Sequence, residues 1–260
     1  MIYNYHTHTY RCKHATGDID EYVSEAKRIG MKRLGFSEHI PLPHDRWVHA
    51  HMDDEAFPEY IDNVRDHQIK ESPELQISLG GEVEYLKEYH SYFKDEILSS
   101  GKLEYLIGSP HWIKSHGQWV WPSELQDVKG LLAYSTYCQD LFSSGLFLYM
   151  GHPDVIFSGY RSWDANAISL AKDIIEGAVA ADLPLEINAN GLRKSSIYSL
   201  DEIGDSLYPN FDFWELAASY PVKVVIGSDS HDAHLLGDKL DLCEELAESL
   251  NISIIDPFDK

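Results

Sequence analysis

The chain has 260 residues, 43% hydrophobic and 25% charged, a globular composition long enough to bury a sizeable core. Its 43 acidic residues against 21 basic ones leave a formal charge of −22, which repels nucleic-acid phosphates and anionic membranes and argues against both as partners. Cys12, Cys138 and Cys243 form no CxxC pair, no apolar run reaches the length of a membrane span, and polar sequence from Asn4 leaves no signal region, so the cytoplasm is the expected compartment.

Strand and helix patterns alternate along the chain. Met1–Tyr5 reads as a short strand. Asp18–Ile29 reads as a helix, with Asp18 as N-cap, a face of Ile19, Tyr22, Val23, Ala26 and Ile29, and Gly30 to close it. Lys32–Ser37 is a strand ending in Glu38-His39, followed by a Pro- and His-rich loop over Pro41–Met52. A helix over Asp54–Glu71 leads to a strand over Gln76–Gly81, ending in Glu82-Val83-Glu84. Glu88–Ser99 reads as helical and Tyr105–Gly108 as a strand before Ser109-Pro110-His111.

Further along, helices are expected over Ser123–Ser144, Ala165–Ala181, Phe211–Ser219 and Leu235–Leu250. Strands are expected over Leu146–Met150, Leu185–Ile187 and Val222–Ile226, before His152, Asn188 and Asp229. That makes seven strands in one α/β domain over residues 1–260 with no linker dividing it. A closed or nearly closed parallel barrel places non-neighbouring strand ends around one mouth, where barrel active sites sit. An open sheet would spread them along a line.

Those strand ends carry the chemistry. His6 and His8 are two apart, so on an extended strand both imidazoles point to one side and can reach one ion. His14, Glu38, His39, Glu82, His111, His152, Asp229 and His231 complete the set. Imidazole and carboxylate suit zinc, and also manganese or iron. The supply is too large for one ion, and a bridging carboxylate allows two or three. His44, His49, His51, His67, His90, His116 and His234 read first as solvated or hydrogen-bonded histidines, with His67 and His90 on helix surfaces.

The strings His6-Thr7-His8, Ser37-Glu38-His39, Gly80-Gly81-Glu82, Gly151-His152-Pro153 and Ser228-Asp229-Ser230-His231, in this order, resemble the PHP (polymerase and histidinol phosphatase) superfamily. The segment from His6 through the loop Ser37-Glu38-His39-Ile40-Pro41-Leu42-Pro43 is closest to its histidinol-phosphate phosphatases. The resemblance implies a distorted (β/α)7 barrel with three divalent metal ions at the strand C-terminal ends, zinc first among the candidates and manganese or iron as the others. Carried over by motif, the first ion takes His6, His8, Glu82 and Asp229. The second shares Glu82 and adds His111 and His152, and the third takes His14, His39 and His231. Glu84 is an alternative to Glu82, and Glu38 a group that orients His39 or a neighbour.

The implied reaction is hydrolysis of L-histidinol phosphate, a step of histidine biosynthesis, by in-line attack of a metal-bridging hydroxide. Asp229, His231 or a metal-bound water could supply the proton of the leaving alcohol. Arg161 and Arg193 lie in loops after strands and offer bidentate phosphate binding, with His44 as a third contact and Lys13 and Arg11 as weaker ones. Glu84 and Asp154 could pair with a substrate amine, and Trp47, Trp112, Tyr160 or Trp163 could stack on its ring. Three rival readings remain. One is a phosphoesterase acting on another small ester such as a nucleotide. Another is an amide or ring hydrolase, in which the two arginines would be dispensable. The last is a non-catalytic binding protein, against which every expected ligand position is filled. The oligomeric state is not legible.

Overall fold

The computed structural model describes residues 3–259 and divides into two compact units, Met1–Ile107 with Gly227–Leu240, and Gly108–Ile226 with Asp241–Lys260. Met1 and Ile2 of the first expected strand lie outside the described residues.

In unit 1 the strands β1 (Tyr3–Asn4), β2 (Arg33–Phe36), β3 (Gln76–Val83) and β4 (Tyr105–Gly108) are neighbours in that order, and β1–β2 and β2–β3 pair in parallel. Helix α1 (Ile19–Arg28) connects β1 to β2, and α2 (Ala56–Glu71) connects β2 to β3. Helix α1 forms where its signals predict. Asp18 accepts from Ile19 N at 2.7 Å, and acids stand in the first turn and bases in the last. Ile19, Tyr22, Val23 and Ala26 are buried, and Gly30 takes φ +78° just past the end, a conformation few side chains tolerate. Under the strands lies Tyr105. A Cβ on Gly80 would meet its ring at 2.3 Å, so β3 keeps glycine where the ring crosses it. The Tyr105 hydroxyl donates to Tyr5 O at 2.8 Å and Phe36 O at 3.2 Å, tying together the backbones that lead to His6 and Glu38.

Unit 2 opens with a hairpin, β5 (Ile113–Ser115) and β6 (Gln118–Val120), around His116 and Gly117, which both take positive φ. Then come α3 (Val128–Phe142), β7 (Tyr149–Met150), α4 (Ala165–Ala180), β8 (Leu185–Asn188), α5 (Ala189–Lys194), α6 (Phe211–Ala217), β9 (Lys223–Gly227), α7 (Leu240–Ser249) and β10 (Ser253–Ile254). Strands β7, β8, β9 and β10 are neighbours in that order, with β7–β8 and β9–β10 parallel. Within this unit Gly151 N donates to Gly108 O at 3.1 Å.

The β/α alternation holds, with the β5–β6 hairpin and β10 added to the seven expected strands. Local differences have local causes. The Glu88–Ser99 helix is instead a 3-10 turn at Lys87–Tyr89 and a π-helix at Tyr92–Leu98, where Ser99 N reaches back to Lys94 O and the Tyr92 hydroxyl is held by Pro41 O. Helix α3 starts late because Asp127 caps it, accepting from Gly130 N at 2.7 Å. Helix α7 starts late, just after Lys239 at φ +66°. Arg193 sits on helix α5 rather than in a loop, since Asn188 caps that helix by accepting from Asn190 N at 2.9 Å. Among the described residues no helix is long and apolar enough to cross a membrane. All three cysteines are buried and free, and burial pushes the Cys12 thiol up to about 12 and raises those of Cys138 and Cys243.

Candidate metal centre

Beyond β1 the chain stays extended. Thr7 forms a parallel bridge with Ser230, His8 N donates to Ser230 O at 2.9 Å, and Thr7 N donates to Ser37 Oγ at 3.1 Å. His39 bridges Glu82 in the same way. In unit 1 these pairings align the side chains of His6, His8, His39, Glu82, Asp229 and His231, which come from four separate stretches of sequence.

Their spacing is that of ligands around shared cations. An ion about 2.0–2.1 Å from each ligand atom, with tetrahedral angles, separates those atoms by about 3.3 Å. His6 Nε2 lies 3.1 Å from Glu82 Oε1 and 3.7 Å from Asp229 Oδ1. His8 Nε2 lies 3.2 Å from Glu82 Oε2 and 3.5 Å from Asp229 Oδ1. His39 Nε2 is 3.4 Å from Glu82 Oε2, and His231 Nδ1 is 3.4 Å from Asp229 Oδ1. Glu82 thus faces three imidazoles, the position of a bridging carboxylate. The rings of His39 and His231 each stand 4.4 Å from His8, and His14 is 4.9 Å from His231 and 5.4 Å from His39. The donor atoms of His8, His39 and His231, and those of His6, His8 and Glu82, form sets each spanning less than 4.8 Å. His14 is the exposed member, its Nδ1 turned to Cys12 O at 2.7 Å.

The electrostatics match. Burial opposes a charge on His8, but Asp229, Glu38 and Glu82 outweigh it and hold the imidazole well above its ordinary value. Burial likewise opposes the Asp229 carboxylate, and His6, His8 and His231 hold it well below the usual range. Burial, and then the neighbouring His8, push His231 down to about 3. Buried carboxylates facing imidazoles in this way suit a cation. Asp229 takes φ +49°, backbone strain that a functional position can hold.

Glu38, expected to orient His39 or a neighbour, is fully buried. Its Oε2 accepts from Thr9 N at 2.7 Å and Thr9 Oγ1 at 2.5 Å. Its Oε1 accepts from His39 N at 3.0 Å and lies 3.5 Å from His8 Nδ1. A carboxylate on Nδ1 leaves Nε2 of His8 turned to the cluster. Glu84 is occupied elsewhere, 3.1 Å from His51 Nε2, with both side chains buried. His51 is the hydrogen-bonded form of the two expected for it, its Nδ1 2.7 Å from Ile40 O, and Glu84 outweighs the burial that opposes its charge and raises its pKa. One expectation is overturned: Glu84 is not a rim acid open to a substrate amine.

In unit 2, His111 Nε2 and His152 Nε2 are 3.1 Å apart, again a ligand spacing. His152 takes φ +26°. Its N–H donates to Glu186 Oε2 at 3.0 Å, and the same oxygen accepts from Asn188 Nδ2 at 2.8 Å. Sequence reasoning missed Glu186, although an acid inside the apolar run Leu183–Ile187 was a signal for a buried partner. Asp154 is no rim acid either. It is buried, accepts from Asn210 N at 2.6 Å and Trp214 Nε1 at 2.9 Å, and burial pushes it up to about 6 against those donors.

The remaining candidates are more peripheral. Arg161 is exposed beyond the 3-10 turn Val155–Ser158, and Arg193 is half-buried on α5, close enough to lower the Cys243 thiol electrostatically. His44 is exposed at φ +64°, Lys13 bonds to Asp53, and buried Arg11 pairs with Asp18 and Glu59. Trp112 packs on Trp121 and Trp163 on Phe157, while the Tyr160 hydroxyl donates to Asp164.

Comparison with known proteins adds relatives. The family model of the PHP domain matches residues 4–190. A Deinococcus radiodurans protein named "Probable histidinol-phosphatase" is 31% identical over 240 residues, covering 89% of this chain and 87% of its own. A solved structure from Listeria monocytogenes superposes with a TM-score of 0.78 at 21% identity, over 92% of this chain and 99% of its own. The histidinol phosphate phosphatase of Lactococcus lactis, solved with zinc, L-histidinol and phosphate, superposes with a TM-score of 0.68 at 18% identity, over 97% and 95%. The fold is therefore shared with these structures.

Proposed function

The chain belongs to the PHP domain family, and on that premise we propose that it is a histidinol-phosphatase, hydrolysing L-histidinol phosphate to L-histidinol and phosphate. The observation that carries this reading is the set of ligand atoms at cation spacing around Glu82, in a chain similar over nearly its full length to a protein bearing that name. The ligands bound to the Lactococcus lactis structure support the same substrate and zinc.

Three divalent ions are proposed, zinc first and manganese or iron as alternatives. The residues proposed to hold them are His6, His8, His14, His39, Glu82, Asp229 and His231 in unit 1, and His111 and His152 in unit 2, within one catalytic domain. When bound, such ions acidify water and neutralise phosphoryl charge. Asp229 and His231 are assigned to the leaving alcohol's proton on their place in the cluster, with His231 Nδ1 3.4 Å from Asp229 Oδ1. Arg161 and Arg193 are assigned to the phosphate, with His44 as a further contact. The substrate is a small molecule, and neither nucleic acid nor membrane is a partner of so acidic a chain. Three buried thiols fit a cytoplasmic setting.

The test is turnover of L-histidinol phosphate by protein purified without chelator, with metal content read on the same sample and p-nitrophenyl phosphate run alongside. Efficient hydrolysis, far better than of the generic ester, is expected with two to three metals per chain. Slow, indiscriminate activity on a metal-loaded protein would remove the substrate and redirect the search to other small phosphate esters such as nucleotides. Activity that survives loss of both arginines would favour a hydrolase of non-phosphate substrates.

A further inference from the structure

Beneath the Pro- and His-rich loop lies a buried ion pair that the proposed reaction does not use. His51 and Glu84 are each 1% exposed, with Nε2 3.1 Å from Oε2. The other ring nitrogen, Nδ1, lies 2.7 Å from Ile40 O, and Met52 N donates to His39 O at 3.0 Å. Residues 41–50 therefore form a loop whose two ends meet at the His39–Ile40 backbone. Its body is held by further bonds, from Tyr92 Oη to Pro41 O at 2.8 Å, Tyr89 Oη to Pro43 O at 3.2 Å and Lys13 Nζ to Val48 O at 2.5 Å. It carries strain, since His44, Asp45 and Trp47 all take φ between +50° and +64°.

Glu84 lies two residues beyond Glu82, and the His51 ring stands 5.2 Å from that of His39. The same strand run thus presents one carboxylate to the His6, His8 and His39 rings and the next to the loop's closing histidine. We infer that His51 and Glu84 form a latch that closes the 41–50 loop and positions His39 for metal binding. Both are positioning residues, because neither belongs to the proposed ligand set and they act through His39, whose ring stands 5.2 Å from that of His51. The strained turn stays put because its two ends are clamped, so the loop is a fixed wall beside the cluster rather than a hinged cover.

This inference rests on the reading of His39 as a metal ligand. The variants His51→Gln and Glu84→Gln keep the shape of the pair and open the latch, and the double variant carries both changes. Glu71→Gln, which breaks the Lys27–Glu71 pair elsewhere in unit 1, controls for general destabilisation. Zinc affinity is read by competition with a chromophoric chelator, and loop release by mass spectrometry of tryptic cleavage between Arg46 and Trp47. Each single variant should bind its weakest zinc about 10–100-fold less tightly and be cut faster at that bond. The double variant should lose no more than either single, because a latch opens once. Excess zinc should restore turnover. Zinc affinity within about twofold of wild type, additive losses, or equal losses in Glu71→Gln would overturn the latch. If wild type binds zinc and shows the latch pattern but does not hydrolyse L-histidinol phosphate, the substrate reading fails and the latch stands.

Discussion

Replacing Glu38 by Gln keeps the side chain's size and removes one acceptor among two, each of which is in use. Oε2 takes Thr9 N and Thr9 Oγ1, while Oε1 takes His39 N and faces His8 Nδ1. Whichever way the amide turns, its NH2 points at a backbone N–H, of Thr9 or of His39. One buried donor is stranded at about 1–3 kcal/mol, and the surviving bonds fall from charge-assisted to neutral strength at about 1 kcal/mol, for a total of about 2–4 kcal/mol. The second effect reaches the metal. Without a carboxylate on Nδ1, His8 loses the partner that keeps Nε2 directed at the cluster, and zinc affinity should drop about 10–100-fold. Urea unfolding of chelator-treated protein measures the first loss, and zinc competition the second. If Glu38→Gln unfolds within about 0.5 kcal/mol of wild type, the buried network is not as described. If it is destabilised yet keeps its zinc affinity, the orienting role of Glu38 is refuted and only its structural role remains.

Other expectations follow from the same geometry. His8 in the metal-free fold lies above its unfolded value, so its contribution to stability is complete below about pH 6.5 and is lost as pH rises through the folded value. Zinc must expel that proton, so affinity should weaken in acid, and the binding enthalpy should differ between buffers of different ionisation heat; equal enthalpies would contradict this. Arg161→Ala and Arg193→Ala should each raise the KM for the phosphate ester about tenfold or more, with Lys recovering only part; an unchanged KM removes the phosphate role. Gly191→Ala places a Cβ 1.8 Å from Tyr208 O, a backbone atom that cannot swing away, and should cost about 3 kcal/mol or more in a thermal melt, whereas a loss below about 1 kcal/mol would mean that α5 shifts freely.

Strand positions and their order were legible because buried parallel strands are short apolar runs, and because His6, His39, Glu82, His152 and Asp229 follow or end such runs. The i, i+2 pairing of His6 and His8 needed only extended geometry. Partners contributed by distant segments were not legible. Nothing local says that Glu84 meets His51, that Asp154 turns inward to Trp214, or that Glu38 reaches Thr9 and His8. Short irregular elements were missed for a related reason. Helix α5 contains Gly191, a poor helix former that the approach of Tyr208 O requires there, and its start is set by the Asn188 cap. The Tyr92–Leu98 π-helix likewise has no periodicity of its own to announce it.

The three sealed thiols make the folded chain a silent substrate for alkylating dyes. Cys12 lies in unit 1, and Cys138 and Cys243 lie in unit 2. A thiol that is both buried and shifted upward reacts only when its surroundings open. Pulse labelling followed by peptide mapping would therefore clock the opening of each unit separately, with no engineered probe, and would show whether zinc slows the two openings equally or one alone.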